Sequence, residues 1–173
     1  TDETGEVIAI NSVKVNDGVL TFNFKSNLVD VTSKVSEWGE MEGALAIKPR
    51  VDGEEIVITV DEAFPSAITA IKVLGNVKFV YENGVDASPI DINVTAASEA
   101  TFTGIIQNQI VPEVGATIII DGAATANHNI LMGDGKTLIV NPNATLIFGM
   151  ANPFAVNENT RTLGTYNIYG TVD

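Results

Sequence analysis

The chain contains 173 residues, of which 22 are acidic and 9 basic, and its formal net charge is -13. Such a charge repels phosphate backbones and anionic lipid surfaces, so the composition argues against nucleic-acid binding. No apolar run approaches the roughly 20 residues that a membrane helix needs, so membrane insertion is not expected. Cysteine is absent and His128 is the one histidine, which excludes disulfides, thiolate metal sites and imidazole relays.

Alternating runs of Val, Ile, Phe and Thr recur from the first strand onwards and predict an all-β chain. Three pairs of runs flank Asn-, Asp- and Gly-containing turns, and each pair is predicted to form an antiparallel hairpin. The pairs are residues 13–15 with 20–24, 44–48 with 56–60, and 77–81 with 90–94. Short strands at this spacing indicate an antiparallel β-sandwich.

Residues 1–97 resemble bacterial Ig-like modules, which recur in surface-layer proteins and adhesins. The residues that carry the resemblance are two strands joined by a tight turn, 10–15 and 20–24, and the strand 55–60 followed by Ala63-Phe64-Pro65. The resemblance implies an Ig-like β-sandwich domain that acts as an extracellular spacer or scaffold.

The charge density falls near residue 98. Residues 1–98 contain 7 basic and 16 acidic residues, whereas residues 99–173 contain 2 basic and 6 acidic ones. We therefore predict a domain boundary there, with a second unit over residues 98–173.

The second unit repeats short apolar runs that stop at glycine, at 116–120, 130–132, 144–148 and 166–169. This pattern is typical of the coils of a parallel β-solenoid. The phrases at 111–117 and 140–146 resemble the opening coils of bacterial right-handed β-helices. The irregular spacing of the runs leaves a second β-sandwich as the alternative.

The sequence predicts no catalytic residue, no metal site and no cofactor. His128 lies in a polar stretch and is interpreted as a turn residue, because no second His or Cys could complete a site. Calcium is the alternative for the acidic turns, since it prefers loop oxygens, although no EF-hand loop is present. The acidic clusters, interpreted mainly as solvated turn charges, are Glu37/Glu40/Glu42, Asp52/Glu54/Glu55 and Asp61/Glu62.

Trp38 is the only tryptophan and the one candidate for carbohydrate binding, because an exposed indole can stack on a sugar ring. The competing interpretation places Trp38 in the core or over a sheet edge. Two glycosylation sequons are also present, at 93–95 and 143–145.

These observations predict a non-enzymatic, extracellular structural or adhesive module of a bacterial surface protein, such as a surface layer, an adhesin stalk or an appendage. The alternatives are a module of a viral fibre or spike, and the non-catalytic part of a β-helix carbohydrate-active protein. The expected partners are other proteins or further copies of the chain, bound through strand edges, with polysaccharide as another candidate. We expect the solenoid to continue in a longer chain and its last coil here to expose Ile168.

Overall fold

The computed structural model describes residues 10–16, 19–24, 28–39, 41–150 and 164–173. Strands dominate these residues, as predicted for an all-β chain, and a short 3-10 helix spans Val35–Glu37. The strands are β1 (Ile10–Asn16), β2 (Val19–Phe24), β3 (Leu28–Val29), β4 (Ser33–Lys34), β5 (Gly43–Ile47), β6 (Glu55–Val60), β7 (Ile68–Val73), β8 (Asn76–Tyr81), β9 (Ile92–Val94), β10 (Glu99–Ile106), β11 (Ile110–Pro112), β12 (Thr117–Ala126), β13 (Thr137–Val140), β14 (Thr145–Phe148), β15 (Thr165–Ile168) and β16 (Thr171–Val172).

From β3 onwards the chain winds into a β-solenoid of about six turns. Successive strands alternate between two parallel sheets over most of its length. The smaller sheet has the order β11-β9-β7-β5-β3. The larger sheet has the order β15-β13-β12-β10-β8-β6-β4, with β14 and β16 continuing beside β12. Each coil therefore hydrogen-bonds to the coils above and below it, and the inward side chains of both sheets meet in the middle.

The core is built from columns of identical or similar side chains. In the larger sheet Ile58, Phe79, Phe102 and Ile120 are aligned on neighbouring strands, and all four are fully buried. The rings of Phe79 and Phe102 stack with their centroids 5.2 Å apart. Burial of one such side chain contributes about 1.5–3 kcal/mol, so the column is a main source of stability.

The antiparallel Ig-like sandwich expected for residues 1–97 is not the architecture observed. The second and third predicted hairpins were wrong, because β5 and β6 lie in different sheets, as do β8 and β9. β5 pairs in parallel with β3 and β7, while β6 pairs in parallel with β4 and β8. The Asp-Gly and Asn-Gly turns between them lead the chain from one sheet to the other.

The first predicted hairpin is confirmed in its strands, since β1 and β2 pair antiparallel with Asn16 opposite Val19. Two of its turn residues, 17 and 18, lie outside the described residues. The division of the chain at residues 97–98 stays a prediction. Strands on its two sides pair with each other, since β8 pairs with β10.

Candidate functional site

One stretch of the larger sheet presents an outer surface made of threonine and isoleucine. In β12, β13 and β14 the residues that alternate with buried core residues point away from the core and are partly or largely exposed. Among these outward residues, which also include Asp121 and Ala123, we call the threonines and isoleucines the threonine face: Thr117, Ile119, Thr125, Thr137, Ile139, Thr145 and Ile147.

Parallel pairing places the threonine face in columns. Thr117 is aligned with Thr137, which is aligned with Thr165 on β15, and Ile119 is aligned with Ile139. Neighbouring strands in a sheet are about 4.8 Å apart, so the hydroxyl and methyl groups repeat at that interval. None of the seven side chains is charged, whereas the whole chain carries a net charge of -13.

An ion pair borders the threonine face. Lys78 Nζ of β8 donates to Asp121 Oδ2 of β12 at 2.8 Å, and Asn141 Nδ2 donates to Asp121 Oδ1 at 3.4 Å. The pair spans the intervening strand β10, where Thr101 is only 7% exposed although it alternates with buried core residues. The ion pair thus covers part of the outer surface and marks the end of the uncharged region.

Acid is expected to weaken this ion pair. The hydrogen bond from Lys78, and to a smaller extent the one from Asn141, holds the pKa of the Asp121 carboxyl below its ordinary value. Because this folded-state pKa is the lower one, the stabilisation is fully present above the unfolded-state pKa and is lost as the pH falls through the folded-state pKa. The Asp121 side chain is 43% exposed, so solvent screening limits the contribution to less than about 1 kcal/mol.

A double-mutant cycle with Lys78→Met and Asp121→Asn measures the coupling free energy from denaturant unfolding. We expect coupling at neutral pH and none well below the ordinary aspartate pKa of about 3.9. Asp134, in an exposed turn, provides the matched control, since Asp134→Asn should show no coupling to Lys78. Coupling that persists unchanged in acid would contradict the assignment.

The structure places Trp38 in the core. Its side chain is 2% exposed, its ring stacks on Phe64 with centroids 5.7 Å apart, and Nε1 donates to Ser33 Oγ at 2.9 Å. This position agrees with the competing interpretation of Trp38 as a core residue. Carbohydrate binding at Trp38 stays a prediction, and it would require the ring to leave its contact with Phe64.

The other candidate residues lie apart from the threonine face. His128 is exposed in the turn after β12, as interpreted from the sequence. Within the described part of the chain, no three His, Cys, Asp or Glu residues are grouped closely enough to hold a metal ion. Of the acidic clusters, the residues that the structure describes are exposed or half-buried at turns, at strand ends and, for Glu37, at the end of the 3-10 helix, and Glu40 lies outside the described residues.

No family model, curated protein or solved structure matches the chain. The described residues contain no helix of the length and apolar character needed to cross a membrane.

The threonine face is not evident from the sequence alone. Its signal is a Thr-x-Ile triplet that occurs at 117–119, 137–139 and 145–147. Each triplet by itself indicates only a strand. Their alignment on one surface depends on parallel pairing between coils, which the separate triplets do not reveal.

Proposed function

We propose that the chain is a non-enzymatic, extracellular structural or adhesive module of a bacterial surface protein. The observation that carries this proposal is the threonine face on a continuous solenoid. Its side chains repeat from coil to coil and carry no charge. A second copy of this acidic chain can therefore meet the face without two like charges coming together there, and a neutral partner can cover it without removing a charge from water.

The chemistry of the face favours partners that also present repeating, uncharged groups. Ile139 and Ile147 supply apolar contact, and the threonine hydroxyls donate and accept hydrogen bonds. A polysaccharide or another copy of the chain has this character. The regular stack also suits a spacer, because each coil is held by backbone hydrogen bonds to both neighbours.

Two charge-matched variants test the proposal in the full chain. Ile139→Lys places a cation in the threonine face, whereas Val111→Lys places one at a half-buried outward position on β11 of the other sheet. Self-association is measured by sedimentation over a range of concentrations, and adhesion by binding to immobilised cell-wall polysaccharides.

We expect Ile139→Lys to weaken whichever interaction is found by about tenfold or more, which corresponds to about 1.4 kcal/mol, and Val111→Lys to leave it unchanged. Absence of both self-association and polysaccharide binding in the parent chain would overturn the proposal. So would cleavage of a polysaccharide by the purified chain that is lost when a carboxylate is replaced.

A further inference from the structure

The two glycosylation sequons occupy very different positions in the fold. Asn143 lies at the third position of a turn in which the Ala144 N–H donates to the Asn141 carbonyl at 3.0 Å. Its φ of +67° and the preceding Pro142 are typical of a type II turn. Asn143 is exposed, so its amide nitrogen is accessible from solvent.

The hydroxyl-bearing residue of this sequon is also at the surface. Thr145 begins β14, is half-buried, and alternates with the buried residues Ala144 and Leu146. Asn143 and Thr145 therefore face outwards together, with one buried residue between them. An enzyme that must contact both the amide and the hydroxyl can reach them from one side.

The sequon at Asn93 is held by the hydrogen bonds of its side chains. Strand pairing does not separate the two sequons, because Asn93 lies on β9 between β7 and β11 and Thr145 lies on β14 between β12 and β16. Asn93 Nδ2 donates to the Ile71 carbonyl at 3.3 Å. Thr95 is 8% exposed, and its hydroxyl donates to the Val73 carbonyl at 2.8 Å. Both reactive side chains are thus engaged in the folded chain.

We infer that Asn143 is an N-linked glycosylation site of the folded protein and that Asn93 is not. The donor would be an oligosaccharide linked to a lipid through a diphosphate. Asn143 Nδ2 forms a bond to the anomeric carbon of the first sugar and gives up one proton to a base. The bond from that carbon to the diphosphate oxygen breaks, and the lipid diphosphate leaves with the electron pair. The physiological relevance of the site rests on the proposed extracellular function, because N-linked sequons are used in exported proteins.

The test uses the purified, folded full chain with a single-subunit oligosaccharyltransferase and a lipid-diphosphate-linked oligosaccharide, and the product is read by intact mass and peptide mapping. We expect one glycan, on Asn143. Asn143→Gln and Thr145→Ala should abolish it, Thr145→Ser should retain it, and Asn93→Gln should leave it unchanged. The urea-unfolded chain, diluted into the same reaction, should accept glycan at both sequons.

Modification of the folded chain at Asn93 would overturn the inference. It would also be overturned if the folded chain stayed unmodified while a peptide of residues 140–147 was glycosylated under the same conditions. Neither result would bear on the structural or adhesive function, because the purified reaction does not depend on export and the binding experiments do not depend on glycan.

Discussion

Replacement of Gly104 by alanine is expected to destabilise the fold strongly, because it adds both backbone strain and a clash with the neighbouring coil. Gly104 has a φ of +85°, and a Cβ built on it would lie 2.2 Å from the Tyr81 carbonyl oxygen of the neighbouring coil. The left-handed conformation costs alanine about 1–2 kcal/mol. The clash adds a further cost, which for overpacking is typically about 1–3 kcal/mol. Tyr81 cannot retreat without disturbing the pairing of β8 with β6 and β10.

Gly53 supplies the matched control for Gly104→Ala. Its φ of +87° is nearly the same, but a Cβ there would meet nothing within 4 Å. Gly53→Ala should therefore cost only the conformational term of about 1–2 kcal/mol. Urea unfolding followed by circular dichroism measures both variants. Equal losses of unfolding free energy in the two variants would contradict the prediction, because they would show that a Cβ at Gly104 does not clash with the neighbouring coil.

The strands were predictable because their signal is local. Residues 77–81 alternate between core and surface side chains, and the structure has a strand at Asn76–Tyr81 with that alternation. The partner of a strand depends on residues far away in sequence, and alternation is equally compatible with parallel and antiparallel neighbours. The turn 51–54 illustrates the difficulty. Its Asp-Gly pair is a good hairpin signal, yet Gly53 adopts its positive φ at a corner between two sheets.

Buried polar residues were even less accessible to sequence reasoning. Residues 107–109 are Gln-Asn-Gln, a run of polar side chains, yet Asn108 is 1% exposed. Tyr81 looks like an ordinary strand aromatic, but its hydroxyl donates to Asn108 Oδ1 at 2.7 Å. Only the stacking of one coil on the next brings these two side chains together. The same stacking creates the threonine face, so both features depend on information that a single coil does not contain.

A change of one side-chain atom at Asn108 is expected to have a large effect on stability. Asn108 Nδ2 donates to the Ser88 carbonyl at 3.2 Å and to the Ile90 carbonyl at 3.0 Å. The Asn108 side chain therefore holds the chain segment before β9 in place. Burial raises the pKa of Tyr81, so the phenol stays protonated and remains the donor to Oδ1. All of the polar atoms of the Asn108 amide therefore have partners.

Asn108→Asp is expected to lower the unfolding free energy by about 3 kcal/mol or more at neutral pH, because two buried carbonyls lose their donor and face a buried negative charge. The charge is disfavoured in the fold, so the introduced carboxyl has a higher pKa in the folded than in the unfolded state. The part of the loss that comes from the charge is absent below the unfolded-state pKa and grows as the pH rises towards the folded-state pKa. The difference from the parent chain should therefore shrink on acidification.

Asn127→Asp is the matched control, because Asn127 is half-buried in the corresponding turn of the next coil and its Nδ2 donates to Gln107 Oε1 at 3.2 Å. This substitution should cost less than about 1.5 kcal/mol, since water can replace the lost bond. Urea unfolding of both variants and the parent chain, at neutral pH and near pH 4, separates the two cases. A loss at residue 108 that does not change with pH would mean that the introduced carboxyl has the same pKa in the folded and unfolded states, as it would if it reached solvent. The charge would then not be trapped between the coils, and the loss would come from the missing hydrogen bonds alone.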